Sequence, residues 1–319
     1  MKKTWLIFLF AWLASQLCAL QPDAVVALDG SGDYTSIEDA IYGAREKVEG
    51  EPRWIILVKP GVYRERVYVQ RERGNIALIG EDVETTILVN DFSANLEDKD
   101  GEKIGTFRTQ TMHLDGDGLI IENMTISNDA GRVGQALALR IDADQVVLRN
   151  CRLLGWQDTL LVNRGRHYFE DCYIEGAVDY IFGGATAVFK GCTLHSVGNG
   201  YITAASTPYD QEHGLVFIDC QITGAEGVQT YLGRPWRAHA QTTFINTEMS
   251  ETVRPEGWHN WGKKQREETT RYAEYGSTGP GGDLTQRVDW AKQLKKREAS
   301  KLTPAKIFGD WDIPAKVSE

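Results

Sequence analysis

The sequence holds no Cys-x-x-Cys pair and no two histidines at metal-ligand spacing. Tetrahedral metal binding is therefore disfavoured. The six histidines (His113, His167, His195, His213, His239 and His259) read as surface or core residues. A Gly-x-Ser-x-Gly elbow is also missing, which argues against a serine hydrolase built on that turn. Positive charge is scarce: 35 Lys+Arg face 45 Asp+Glu, for a formal charge of −10, and no basic stripe occurs. Nucleic-acid affinity rests largely on phosphate neutralisation, so a nucleic-acid partner is excluded. A polyanion would need a local cationic site or masked carboxylates. The apolar run at residues 5–13 is too short to span a bilayer comfortably.

That run has another use. Lys2 and Lys3 precede it and Ala19 follows it, the order of a positive n-region, an apolar h-region and a small-residue cleavage site. Residues 1–19 are expected to be a signal peptide, and residues 20–319 a single exported domain, periplasmic or secreted. Cys18 lacks the small residue before it that a lipoprotein signal would want.

A short frame recurs six times: Ile121-Glu-Asn-Met-Thr-Ile, Leu148-Arg-Asn-Cys-Arg-Leu, Phe169-Glu-Asp-Cys-Tyr-Ile, Phe189-Lys-Gly-Cys-Thr-Leu, Phe217-Ile-Asp-Cys-Gln-Ile and Phe244-Ile-Asn-Thr-Glu-Met. Its third position holds Asn, Asp or Gly, the residues that tolerate a left-handed backbone. Apolar residues on either side point inward from short strands. The copies start 27, 21, 20, 28 and 27 residues apart, a spacing that reads as coils of a parallel β-helix. A two-sheet sandwich would also give short alternating strands, but it would not repeat one frame six times. Asn123, although part of an Asn-Met-Thr sequon, is read as one of these turn residues.

Cys151, Cys172, Cys192 and Cys220 share the fourth position of the frame, which predicts a stacked ladder of small polarizable residues. In an oxidising compartment neighbouring rungs could be bridged, in any of three pairings. Thr35-Ser-Ile-Glu38 is a capping-box pattern ahead of Ala40, Ile41 and Ala44, and predicts a short helix over the N-terminal end of the core. Residues 283–300 are charged and helix-favouring, with Val288, Trp290 and Leu294 as an inner face. They predict a C-terminal helix. The acidic stretch with Asp98, Asp100 and Glu102 reads as a charged loop.

Asp158 and Asp179 each lie seven residues after a ladder cysteine, Cys151 and Cys172. Equivalent places on adjacent coils would bring the carboxylates to about 4–6 Å. Carboxylates that close split their pKa values, so that one stays ionised while the other holds its proton. The pair supplies a nucleophile and a proton donor. Two turn aspartates facing water are the alternative, but both stand in apolar or aromatic segments, Trp156-Gln-Asp158-Thr-Leu-Leu and Val178-Asp179-Tyr-Ile-Phe.

Four segments, Gly134-Gln-Ala-Leu-Ala-Leu-Arg140, Gly155-Trp-Gln-Asp-Thr-Leu160, Val178-Asp-Tyr-Ile-Phe-Gly183 and Leu232-Gly-Arg-Pro-Trp236, resemble the signature motifs of pectin methylesterases in the same order. The resemblance extends over the whole mature chain. It implies an all-β fold, a single-stranded right-handed parallel β-helix, and hydrolysis of the methyl esters of galacturonate in pectin. By position, Asp179 matches the family's nucleophile and Asp158 its acid/base. Gln135 and Gln157 match the oxyanion-binding amides, and Arg234 the arginine that holds the nucleophile. Thr106, Phe182, Trp236 and Trp258 match substrate-contacting residues, joined in that role by Gln135 and Arg234. Cys172 and Cys192 fall where many plant members place a disulfide. A monomer without metal or cofactor is expected, acting on methyl-esterified pectin. Tyr180, Gly184 and the Met112-His113 pair depart from the usual pattern and put substrate preference, more than chemistry, in question.

Overall fold

The computed structural model describes residues 21–46, 48 and 50–318; the signal peptide expected over residues 1–19, with Cys18, lies outside them. Within that span the strands of both sheets pair in parallel throughout. An 11-stranded sheet runs from Ala24–Val26 to Lys292–Gln293, and a 13-stranded sheet makes up the rest. The second sheet folds into two faces, because the long strands Tyr173–Gly183 and Thr193–Ala205 turn its corner and pair on both sides of the bend. Parallel strands of one sheet connect by right-handed crossovers. The product is the expected right-handed parallel β-helix, each coil adding a strand to each face. Leu148 pairs with Ile121 behind it and Phe169 ahead, so the frame read from sequence is the coil register itself.

The frame's third residue takes the left-handed conformation throughout: Asn123 (φ 58°), Asn150 (46°), Asp171 (54°), Gly191 (64°), Asp219 (54°) and Asn246 (50°). Most L-residues would lose about 1–2 kcal/mol there, which is why the position is confined to Asn, Asp and Gly. Asn123 is a rung of this ladder, its side-chain oxygen accepting from the Asn150 amide at 2.9 Å. One residue further, Cys151, Cys172, Cys192 and Cys220 are buried free thiols. Each sulfur leans on main-chain carbonyls, as Cys151 does on Arg149 O at 3.2 Å. Cys172 and Cys192 are therefore ladder thiols and not a disulfide in this structure. The frame's first position builds a column of rings, with Phe169, Phe189, Phe217 and Phe244 spaced 4.5 Å centroid to centroid.

The capping helix is present at Ile37–Gly43 and buries Ile37, Ala40 and Ile41. Its cap is Ser36 rather than Thr35: the Ser36 hydroxyl accepts from Asp39 N–H at 3.1 Å. Glu38 does not close a capping box but accepts from Tyr68 N–H at 2.6 Å. Glu65 takes over, accepting from the Ser36 hydroxyl at 2.7 Å and from Ile37 N–H at 2.8 Å. A carboxylate at a helix N-terminus also suits the dipole.

The single C-terminal helix expected over 283–300 is not formed. Lys292–Gln293 instead joins the end of the 11-stranded sheet beside Arg271–Tyr275, and only Lys296–Ala299 is helical. Edge pairing and the packing of Val288 and Trp290 on the core override the helix-favouring composition. A further short helix, Pro304–Phe308, leads a tail across the outer surface of that sheet. There Ile307, Phe308 and Trp311 cover Tyr168, Val188 and Val216. The buried pair Arg149–Glu122 holds the tail's end. Arg149 donates to the carbonyl of Pro314, and Glu122 accepts from the N–H groups of Val317 (3.1 Å) and Ser318 (2.9 Å). Among the described residues no helix is long and apolar enough to cross a membrane.

Candidate active site

Asp158 and Asp179 stand one coil apart. Asp158 N–H donates to Val178 O at 3.0 Å, and two residues on Leu160 pairs with Ile181. Both aspartates are left-handed, at φ 62° and 51°, a conformation that Asp tolerates better than most residues. The register between Tyr173–Gly183 and the next coil breaks on both sides of Val178. Irregularities of this kind re-aim side chains beside active sites. Both side chains are almost wholly buried.

Arg234 follows the strand Thr230–Gly233, and its N–H is fixed to Thr203 O at 2.9 Å. Its side chain grips Asp179 with two parallel bonds, Nε to Oδ1 at 2.9 Å and Nη2 to Oδ2 at 2.7 Å. Forked pairs of this type are the strong, orienting class of charged hydrogen bond. Burial raises the pKa of Asp179, and the Arg234 bonds and charge pull it back. Burial pushes Asp158 well above the usual carboxylate range, and the charge of Asp179 adds to the shift, against a smaller opposing pull from Arg234. Asp179 is therefore the first of the pair to ionise, and Asp158 keeps its proton.

The carboxylates open into a pocket of about 310 Å³ walled by Thr106, Phe107, Gln135, Gln157, Phe182, Ala204, Arg234, Trp236 and Trp261. Leu137, Leu161, Phe182 and Ala204 make an apolar floor, and Trp236 meets the edge of Phe182 at 5.7 Å. Gln135 and Gln157 arrive on adjacent coils, Ala136 N–H donating to Gln157 O at 3.1 Å. Thr106 sits on the 3₁₀ turn Thr106–Arg108.

Of the residues singled out from sequence, Asp158, Asp179, Gln135, Gln157, Arg234, Thr106, Phe182 and Trp236 converge on this pocket. Trp258 does not. Only 1% exposed, it lies in the core, stacked on Tyr272 at 4.3 Å and donating Nε1–H to Glu274 at 3.1 Å. The tryptophan of this segment that lines the pocket, beside Trp236, is Trp261, three residues on. Trp258 and Trp261 both belong to the Gly257-Trp-His-Asn-Trp261 segment, and pattern alone does not say which one faces out. Phe107, which also lines the pocket, was missed as well. Tyr180 turns inward, fully buried, 3.3 Å from the Ser196 hydroxyl. His113, on the outer face, stacks on Tyr68 and bonds Asp142 at 2.8 Å. The loop with Asp98 folds on itself, Asp98 accepting from Asp100 and Glu102 N–H.

Fold and site together define a class: a β-helical protein whose cleft surrounds a buried carboxylate pair on an aromatic floor. The sequence model of the pectinesterase family, described as Pectinesterase, matches residues 23–310. Pectinesterase 31 of Arabidopsis thaliana is 40% identical over 281 residues, covering 86% of this chain and 88% of its own. The solved pectin methylesterase from carrot superposes with a TM-score of 0.84 at 33% identity, over 92% of this chain and 95% of that one. A pectin methylesterase solved in complex with a hexasaccharide gives 0.80 at 29%, over 93% and 100%. The chain belongs to the pectinesterase family.

Proposed function

We propose that this protein hydrolyses the methyl esters of galacturonate residues in pectin, releasing methanol and leaving free carboxylates on an uncut chain. The observation that carries the reading is the forked Arg234–Asp179 pair beside the buried Asp158, whose pKa burial and the neighbouring Asp179 push up, in a pocket floored by apolar and aromatic groups. Ionised Asp179 attacks the ester carbonyl. The carbonyl oxygen takes up the negative charge and is met by the amides of Gln135 and Gln157, which donate N–H without adding a full charge. Collapse expels methoxide, which leaves as methanol with the proton of Asp158, and an anhydride to Asp179 remains. Asp158, now a base, takes a proton from water as the water opens the anhydride. The product leaves as the uronic acid, which gives its proton to solvent to become the uronate, and both aspartates return to their starting states. Trp236 and Trp261 offer faces to the apolar sides of sugar rings. Thr106 and Phe182 complete the wall around the ester.

A monomer suffices, since one chain supplies every group named, and export places it where such a polysaccharide is found. The test is methanol release from methylated pectin, with chain length followed alongside. Asp158→Asn should lower kcat by about 10²–10⁴-fold, Asp179→Asn should abolish turnover, and chain length should hold throughout. Retained turnover in both variants, or shortening of the polymer by the wild type, would sink the assignment.

A further inference from the structure

Arg234 spends Nε and Nη2 on Asp179, and no other carboxylate or carbonyl among the described residues bonds its guanidinium. What else holds the group is aromatic. The Tyr201 and Trp261 rings lie on it, each with its centroid 3.8 Å from the guanidinium carbon. Trp261 lines the pocket, whereas Tyr201 stands behind Arg234, outside the pocket walls. Tyr201 is itself backed, stacking on Tyr231 of the next coil at 5.4 Å and 13°. His259 packs against both tyrosines at 5.4 and 5.3 Å. Its Nδ1 accepts the N–H of Trp261 at 3.1 Å and so braces a tryptophan backbone held at φ 61°, a conformation a bulky residue rarely takes.

We propose that Tyr201 is a positioning residue: its ring, with Trp261 opposite, grips the guanidinium of Arg234 and aims both N–H donors at Asp179. A planar guanidinium between two aromatic faces is attracted to both and loses its freedom to tilt. Tyr201 thus acts on the chemistry through Arg234 without touching the substrate. Its phenol is not needed for this, but its ring is. The inference rests on the role of Asp179 given under the proposed function.

The experiment is the pH profile of kcat/KM for methanol release, with melting temperatures recorded for every variant. Tyr201→Phe keeps the ring and should keep the wild-type acid limb. Tyr201→Leu fills the space without a π face. It should move the acid limb up by about one pH unit, with about a tenfold loss on the acid side and an alkaline plateau close to wild type. Tyr201→Met carries the same expectation if Tyr201→Leu does not fold. A packing role alone would lower the plateau and leave the limb in place, and that result overturns the proposal. So would a shift in Tyr201→Phe as large as in Tyr201→Leu. Asp179→Asn is the control: if it retains turnover, the reading of the site fails; if it is inactive and the Tyr201→Leu limb stays put, the clamp alone fails.

Discussion

Replacing Arg234 by lysine keeps the positive charge and removes the fork. The native pair makes two charge-assisted bonds, at 2.9 and 2.7 Å, between side chains only 18% and 8% exposed. Hydrogen bonds to charged groups contribute about 1.5–3 kcal/mol each. A lysine ammonium in this place can serve one carboxylate oxygen well, so one bond's worth of stabilisation of the ionised form is lost. At 1.36 kcal/mol per unit, the pKa of Asp179 should rise by about 1–2 units. Arg234→Met loses both bonds and strands a buried carboxylate, a loss of about 3–5 kcal/mol, or about 2–4 units. Activity that needs the ionised carboxylate is present above its pKa and fades as pH falls through it, so the acid limb of kcat/KM must move to higher pH. It should move further in Met than in Lys, with partial recovery of rate on the alkaline side. The assay is initial-rate methanol release across pH on highly methylated pectin. If both variants keep the wild-type limb and differ only in plateau, Arg234 does not set the ionisation of Asp179 and the electrostatic argument is wrong.

Asp158→Asn should raise the melting temperature near neutral pH even as it lowers activity. The native carboxyl is pushed well above its ordinary value by burial, so the folded state holds a proton that the unfolded chain releases, and stability falls as pH rises through that window. Asparagine bears no such charge and tolerates φ 62° equally well. Thermal denaturation at pH 4 and pH 8 checks this: the gain should appear at the higher pH and shrink at the lower, and a gain unchanged between the two would contradict it. On the turn ladder, Asp171→Gly should be nearly neutral, whereas Asp171→Ala should cost about 1–2 kcal/mol at φ 54°. Urea unfolding of the two variants side by side reads the difference.

The coil register was legible because it is written locally. An Asn, Asp or Gly rung, a small residue after it and apolar neighbours recur within six residues, and every coil repeats them. The spacing of Asp158 and Asp179 came with that register. The misreadings share the opposite trait, since each depends on a partner far along the chain. The helix cap at Ser36 is completed by Glu65, 28 residues beyond Ile37. Residues 292–293 became a strand because the edge at Ala273 and Glu274 was there to receive them. Trp258 is drawn into the core by Tyr272 and Glu274, and that inward turn leaves Trp261 to face the pocket. Tyr201 carries no motif at all. Its place behind Arg234 follows from the pairing of Tyr201 with Tyr231, which no short window of sequence displays.

The column of stacked rings has an optical consequence. From Phe169 through Phe244 the centroids keep a 4.5 Å step, and the series runs on through Trp258, Tyr272 and Trp290 toward the C-terminal end. Trp258 is sealed from water, so its emission should be blue-shifted in the intact molecule. Solenoid coils open in sequence from their ends, each held chiefly by its neighbours. Once the tail has let go of Arg149 and Glu122, unwinding from the C-terminal side would wet the half-buried Trp290 further and then Trp258 while the N-terminal coils still hold their strands. An opening that travels inward from that end therefore reaches Trp258 before it reaches the coils that carry Asp158 and Asp179.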